Sequence, residues 1–138
     1  MPNASDDCIA YLEKLRWGGI PECPYCGMHK SSEYAEQNRY HCNFCYTSFS
    51  VTVGTLFHKT HLDLQKWFQT IYLVSKAKKK VSARQLARVI KVNKNTAAYM
   101  LSRIRQATEE DKKLLQEMME DPKFVEDCRL SIEENNDQ

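Results

Sequence analysis

The chain has a formal net charge of +2 at pH 7 and 42% hydrophobic residues. Its length of 138 residues is enough for one ordinary domain or two small ones. No apolar run approaches the ~20 residues that a membrane-spanning helix needs, and the polar, acidic start at residues 1–7 is not a secretory signal. These features predict a cytoplasmic protein in a reducing compartment, where paired cysteines bind metal more readily than they form disulfides.

The first predicted element is a short helix over residues 5–15. Ser5 can cap it, two aspartates follow near the positive end of the helix dipole, and Gly18-Gly19 ends it. Cys8 lies among the helix formers and is expected to be a small buried apolar side chain.

Two C-x₂-C pairs follow, Cys23/Cys26 and Cys42/Cys45, with fifteen residues between them. Two residues between cysteines allow a tight turn that aims both sulfurs at one point. Two such turns supply the four thiolates of a closed tetrahedral site. The spacing therefore predicts one structural Zn²⁺ with no open position for substrate. The alternative interpretation is two disulfides or four unrelated thiols.

The surrounding residues predict a zinc ribbon, with two knuckles on short antiparallel hairpins. Pro24 and Gly27 frame the first knuckle. Residues 49–55, rich in β-branched residues and closed by Gly54, predict a strand leaving the second. A domain of this size can bury only a small hydrophobic core. Metal binding, which contributes ~10–16 kcal/mol, is therefore expected to supply the missing stability. The predicted first domain spans residues 1–58.

Apolar residues then recur at helical spacing and predict an amphipathic helix, capped by Asp63 or Thr60. They are Leu64, Trp67, Phe68, Ile71 and Val74. The two aromatic residues lie on the same stripe as the aliphatic ones, so they are expected in the core rather than on a base-stacking surface.

Charge is distributed unevenly along the chain. Residues 1–75 carry a net charge of −1, residues 76–105 carry +10, and residues 106–138 carry −7. A solvated helix face normally mixes both signs, whereas the middle block has ten basic residues and no acid. This block favours a polyanionic partner, and double-stranded DNA is predicted.

The basic block contains two predicted helices. Ser82 and Gln85 form a capping box at the start of the first, Lys91-Val92-Asn93 is a short turn, and residues 94–106 form the second. The pattern predicts a helix-turn-helix in a domain spanning residues 59–107, although Lys91 stands where glycine is usual. The residues expected to face inward are Leu86, Ala87, Ile90, Ala97, Leu101 and Ile104, with Met100 at the border.

Ten residues of this block are predicted to bind DNA. The N-terminal part of a recognition helix normally meets base edges, where asparagine suits adenine, while loop lysines meet phosphates. The predicted residues are Lys78, Lys79, Lys80, Arg84, Lys94, Asn95, Tyr99, Ser102, Arg103 and Arg105. The alternative is that these side chains merely face solvent.

The last segment, residues 108–138, is predicted to hold one helix and an acidic tail. Leu114, Leu115, Met118 and Met119 indicate a helix that ends near Asp121-Pro122. From Glu126 onward the chain is predicted to be mobile. A solubilising end is the simplest role, with competition against DNA or partner binding as alternatives.

Several segments together resemble the front end of bacterial insertion-sequence transposases of the ISXO2-like or IS1595-type group. They are residues 11–17, 23–27, 40–45, 49–52, 54–58, 66–68, 71–73, 85–88 and 100–105. The resemblance covers residues 8–107 and implies a zinc ribbon and a helix-turn-helix that recognise transposon ends. In that family an RNase-H-like domain follows and cuts DNA with metal-binding acids. The thirty-one residues after Ala107 are too few for such a sheet, so no catalytic residue is predicted.

The predicted protein is therefore a small α+β protein with a zinc ribbon, a helix-turn-helix domain and an acidic tail. Its predicted function is DNA binding without catalysis, as a nucleoid-associated regulator or a transposon-end binder. One alternative is an interaction protein whose zinc ribbon docks on the transcription machinery or another protein. Another is the DNA-binding subunit of a split transposase. The target DNA sequence and the oligomeric state are not readable from the residues.

Overall fold

The computed structural model describes residues 4–33, 38–58 and 62–136. The chain divides into two compact units, Met1–Leu64 and Gln65–Gln138. Within the described residues, no helix is long and apolar enough to cross a membrane.

The first unit begins with helix α1, Ala4–Trp17. Gly18 ends it as predicted: its φ is +66° and its N–H donates to the Lys14 carbonyl at 2.9 Å. The helix starts one residue before Ser5, so Ser5 lies inside it, and the Ser5 side chain is outside the described part. Cys8 is buried as expected, and burial raises the pKa of its thiol to about 12, so it stays neutral.

Three short strands form the sheet of this unit: β1 (Ser31–Glu33), β2 (Tyr40–Cys42) and β3 (Ser48–Phe49). The order is β1-β2-β3 and both pairings are antiparallel. Ser31 lies opposite Cys42, and Tyr40 lies opposite Phe49. The second cysteine pair thus begins at the end of the central strand.

The predicted strand over residues 49–55 is wrong beyond Phe49. Successive turns follow, in which the Val53 N–H donates to Ser50, Thr55 to Thr52 and His58 to Thr55, at 3.0–3.2 Å. The physical reason is a distant side chain, because Arg16 Nη1 donates to the carbonyls of residues 51 and 53. β-Branched residues favour a strand only in a suitable context. Here the carbonyl groups of residues 51 and 53 accept hydrogen bonds from Arg16 and not from a neighbouring strand.

The second unit consists of helices: α2 (Leu64–Lys76), α3 (Ala83–Ile90), α4 (Lys94–Arg105), α5 (Glu109–Glu120) and α6 (Pro122–Asn136). Helix α2 begins at the last residue of the first unit. Its predicted stripe is confirmed as core at Leu64, Trp67, Phe68 and Ile71, which are buried, whereas Val74 is only half-buried. The predicted cap at Thr60 lies outside the described residues.

Helices α3 and α4 are joined by three residues. The capping box of Ser82 and Gln85 is present, with the Gln85 N–H donating to Ser82 Oγ at 3.2 Å. Lys91 adopts the left-handed conformation (φ 61°, ψ 51°) that usually goes to glycine. Asn93 caps α4 by accepting from the Thr96 N–H at 2.7 Å.

Helix α4 turns Ala97, Met100 and Leu101 into the core. Met100, placed at the border by its position on the helical wheel, is wholly buried, and Ile104 is only half-buried. Helix α3 packs against α4, and Trp67 of α2 contacts it through Tyr99, so the covered face is shifted from the predicted one.

The prediction of a mobile acidic tail from Glu126 is wrong. Residues 122–136 form α6, and its buried residues Phe124, Cys128 and Ile132 recur every four positions. The Phe124 ring packs edge-on against Phe68 with centroids 5.2 Å apart, and Cys128 Sγ donates to the Phe68 carbonyl. Three apolar residues are too few to stand out in a charged sequence, yet at this spacing they line one helix face.

Candidate metal centre and nucleic-acid interface

The two cysteine pairs lie on turns that are built alike. In the first, the Gly27 N–H donates to the Cys23 carbonyl at 2.8 Å and the Cys23 N–H to Met28 at 3.0 Å. In the second, Tyr46 donates to the Cys42 carbonyl at 2.9 Å and Cys42 to the carbonyl of residue 47 at 2.9 Å. The residue after the second cysteine has positive φ in both turns, 79° at Gly27 and 61° at Tyr46.

The four sulfurs of Cys23, Cys26, Cys42 and Cys45 all lie within 4.8 Å of one another. Two cross-knuckle distances, Cys23–Cys45 and Cys26–Cys42, are 3.6 Å each. Zn–S bonds of 2.3 Å in a tetrahedron place sulfurs about 3.8 Å apart, whereas a disulfide requires about 2.05 Å. The geometry therefore fits one structural zinc ion and excludes disulfides among these four residues.

The electrostatics of the centre also fit a metal. Hydrogen bonds from Thr47 lower the pKa of Cys45 to about 6, which favours the thiolate that zinc binds. The pKa of Cys26 is raised to about 12: a backbone hydrogen bond from Met28 lowers it, but desolvation and hydrogen bonds with the other three cysteine sulfurs outweigh that bond. The Cys45 N–H points at Cys42 Sγ, 3.4 Å away, and supports a second thiolate. Four thiolates this close repel one another unless a cation lies between them.

An aromatic cluster supports the ribbon from behind. Trp17, at the end of α1, packs edge-on against Tyr40 and Phe49, with centroids 5.5 and 5.7 Å away. Buried Cys23 and Cys42 lie in the same cluster. The Tyr40 hydroxyl donates to Glu13, and burial, together with this carboxylate, raises the pKa of Tyr40. Helix α1 is thus part of the ribbon's core.

The predicted DNA-binding residues lie on three parts of the second unit. Lys78, Lys79 and Lys80 are exposed in the loop between α2 and α3, and Arg84 is exposed in the first turn of α3. The rest lie on α4, where all are exposed except the half-buried Arg103: Lys94, Asn95, Tyr99, Ser102, Arg103 and Arg105.

Tyr99 differs from its exposed neighbours on α4. Its side chain is 44% exposed, and its ring lies 6.4 Å from the Trp67 ring in an edge-on arrangement. It therefore helps to cover the buried Trp67 as well as facing outward.

The prediction omitted side chains that hold or extend this surface. Lys66 of α2 donates to the Ile90 carbonyl at 2.5 Å, and Asn135 of α6 donates to the Val89 carbonyl at 3.4 Å. Both contacts hold the end of α3 beside the turn. Arg88 and Lys91 are exposed in the same basic block, and the charge pattern alone was enough to include them.

Part of the chain is similar to known proteins. Residues 4–48 match the transposase zinc-ribbon domain. The chain is also 29% identical over 99 residues to an uncharacterized protein in transposable element ISH50 of Halobacterium salinarum.

That match covers 70% of this chain and 33% of the relative, so the chain spans about a third of the relative's length. No solved structure matches the chain. The predicted resemblance is confirmed for the N-terminal segment: residues 4–48 are similar to the transposase zinc-ribbon domain, and the four cysteine sulfurs of this segment lie close together.

Proposed function

We propose that the chain binds double-stranded DNA through residues 76–105, with α4 as the recognition helix of a helix-turn-helix. The observation that supports this most directly is the exposed face of α4 inside a block of ten basic residues and no acid. A surface of one charge sign gains affinity by releasing counterions from the phosphate backbone.

The burial pattern determines which side of α4 is available. Because Ala97, Met100 and Leu101 are buried, only the opposite face can enter a groove. That face carries exposed Asn95 and the small residues Ala98 and Ser102, which permit close approach to DNA. Asparagine can make a bidentate pair with adenine in the major groove.

Phosphate contacts are assigned to the basic residues around that face. Lys78–Lys80 occupy a loop, with no helix to aim them at base edges. Arg84 and Lys94 lie in the first turns of α3 and α4, while Arg103 and Arg105 lie in the last turn of α4. Such contacts set register and orientation without reading sequence.

The biological setting we propose is that of a transposase front end acting as a transposon-end binder or regulator. The zinc ribbon of transposase type and the relative in a transposable element support it. We assign the chain binding without strand cutting. A plasmid-relaxation assay in Mg²⁺ or Mn²⁺ tests this, because nicking that is lost on mutation of Asp121 or Glu126 contradicts it.

Two variants test the division between sequence reading and phosphate contact. After selection of a preferred site from random duplexes, Asn95→Ala should cost about 1–3 kcal/mol on that site and much less on random DNA. Changing Lys78, Lys79 and Lys80 together to alanine should weaken binding to all duplexes alike. It should also reduce the slope of log affinity against log salt by about one per lost contact.

Lys113→Ala removes an exposed lysine on α5, outside the basic block, and serves as the matched control that leaves affinity unchanged. Equal, uniform losses for Asn95→Ala and the triple variant would mean that α4 does not read sequence. Unchanged duplex affinity in both would overturn the proposal and favour an interaction protein.

A further inference from the structure

The two knuckles of the ribbon carry very different residues at the position that follows the second cysteine. Gly27 and Tyr46 each follow the second cysteine, make the same hydrogen bond and have positive φ. Glycine adopts this conformation without strain, whereas tyrosine does not. Tyr46 gains little from burial in return, since it is 76% exposed. A strained, exposed aromatic residue points to a role other than stability.

A second ring lies in the same turn. Phe44, two residues earlier, is 61% exposed. Two hydrogen bonds from Asn43, the residue before Phe44, connect the second knuckle to β1 and the residue that precedes it. The Asn43 N–H donates to the Lys30 carbonyl at 2.8 Å, and the Asn43 side-chain amide donates to Ser32 Oγ at 3.0 Å. The Tyr46 ring also lies 6.2 Å from the His41 ring. Both aromatic side chains therefore project from a knuckle whose backbone is held by hydrogen bonds.

The charge around these rings suits a nucleic acid. The described segment that carries both rings, residues 38–58, contains no Asp or Glu, but it contains Arg39, His41 and His58. Lys30 adds another exposed basic residue next to the knuckle, because its carbonyl accepts the Asn43 N–H. A zinc ion with four thiolates carries a net charge of −2 and opposes phosphates. Ring stacking must therefore supply much of the affinity, with the basic residues offsetting the repulsion.

We propose that Phe44 and Tyr46 form a stacking surface for unpaired nucleic-acid bases. Aromatic side chains bind single strands in this way with little sequence preference, because every base presents a π face. This site lies in the first unit and does not depend on duplex binding by α4. Unpaired bases are favoured over a protein partner because the segment that carries both rings has basic residues and no acid, although Glu33 lies on the neighbouring strand.

The test uses the full zinc-loaded chain and fluorescence anisotropy with labelled oligothymidylate, oligouridylate and a duplex of equal length. Tyr46→Gly copies the first knuckle, so it should keep its zinc and should melt no lower than the wild type, because glycine relieves the strain of the positive φ. It should nevertheless lose about tenfold in affinity for the single strands, while duplex binding stays unchanged. Phe44→Ser should lose a similar factor.

Leu130→Ser, which removes an exposed apolar residue of α6, is the matched control and should change nothing. Asn95→Ala should leave single-strand binding intact, so failure here is distinguishable from failure of α4 as a reading helix. Unchanged single-strand affinity in Tyr46→Gly and Phe44→Ser would overturn the proposal and leave the rings as a protein-docking surface.

Discussion

Arg16, near the end of α1, determines the path of a segment far along the chain. Its Nη1 donates to the carbonyls of Val51 and Val53 at 2.7 and 2.6 Å. Gly54 lies directly beside it: its φ is +83°, and an added Cβ would stand 3.1 Å from Arg16 Nη2. The turns after β3 are therefore shaped around this one guanidinium group.

We expect Arg16→Met, which keeps an apolar stem, to lower the free energy of unfolding of the first unit by about 1.5–3 kcal/mol, since hydrogen bonds to a charged group are lost. Urea unfolding measures this loss. Faster amide exchange at Val53 and Thr55 would locate it. Lys14→Met, an exposed change on the same helix, should stay near the wild-type value. Equal stability of Arg16→Met and Lys14→Met would show that the contact contributes nothing.

At the scale of elements, α6 stabilises the pair of helices proposed to bind DNA. Gln69 of α2 is buried and donates to Ser131 Oγ at 3.0 Å, while Asn135 donates to Gln69 Oε1 and to the Val89 carbonyl. Buried amides of this kind are costly unless they are paired. Helix α6 therefore satisfies polar groups of α2 and α3 that would otherwise be exposed or unpaired.

Phe124→Ala tests whether α6 belongs to the folded unit. Deleting the buried ring should cost about 3–5 kcal/mol of stability, read from the cooperative unfolding of the helical unit by circular dichroism. The outward face, where Arg129 pairs with Glu126 and Glu133, contributes little by comparison. Leu130→Ala, at a 45% exposed position, should change stability by less than about 0.5 kcal/mol. A similarly small effect of Phe124→Ala would return the segment to the status of a mobile tail.

At the scale of the whole molecule, the chain has two compact units with separate sources of stability. The first contains the metal centre and a small aromatic cluster, whereas the second relies on packed helices. Metal binding and folding are coupled in small domains, because the preformed site does not exist in the unfolded state. Loss of metal should therefore act on one unit alone.

Replacing Cys42 with Ser, or removing zinc with a chelator, should unfold residues 21–53 and leave the helices from Leu64 to Arg105 largely folded. Elemental analysis should find one zinc per wild-type chain, and amide spectra should show which resonances collapse. Cys8→Ala, a buried thiol outside the centre, should retain the metal. Protein purified without chelator that contains no zinc, or simultaneous collapse of both units, would contradict this account.

Features encoded by neighbouring residues were predictable from the sequence. The spacing of Cys23, Cys26, Cys42 and Cys45 identifies a tetrahedral site because each knuckle closes over two residues. The capping box at Ser82 and the stripe through Trp67 follow from hydrogen-bond reach and helical period, which act within a few positions. The left-handed conformation of Lys91 was predictable in the same way, because Lys91 occupies the position in the turn where glycine is usual.

Only the tertiary structure decided features that depend on distant partners. Residues 50–58 form turns because Arg16, 35 positions before Val51, binds their carbonyls. Helix α6 is ordered because Phe68, 60 positions before Cys128, provides a carbonyl and a ring to pack against. Met100 is wholly buried by neighbours that its own helix does not reveal. Spacing, capping and helical periodicity depend on residues that are close in sequence. Burial and long-range hydrogen bonds depend on which distant segments lie next to one another in the folded chain.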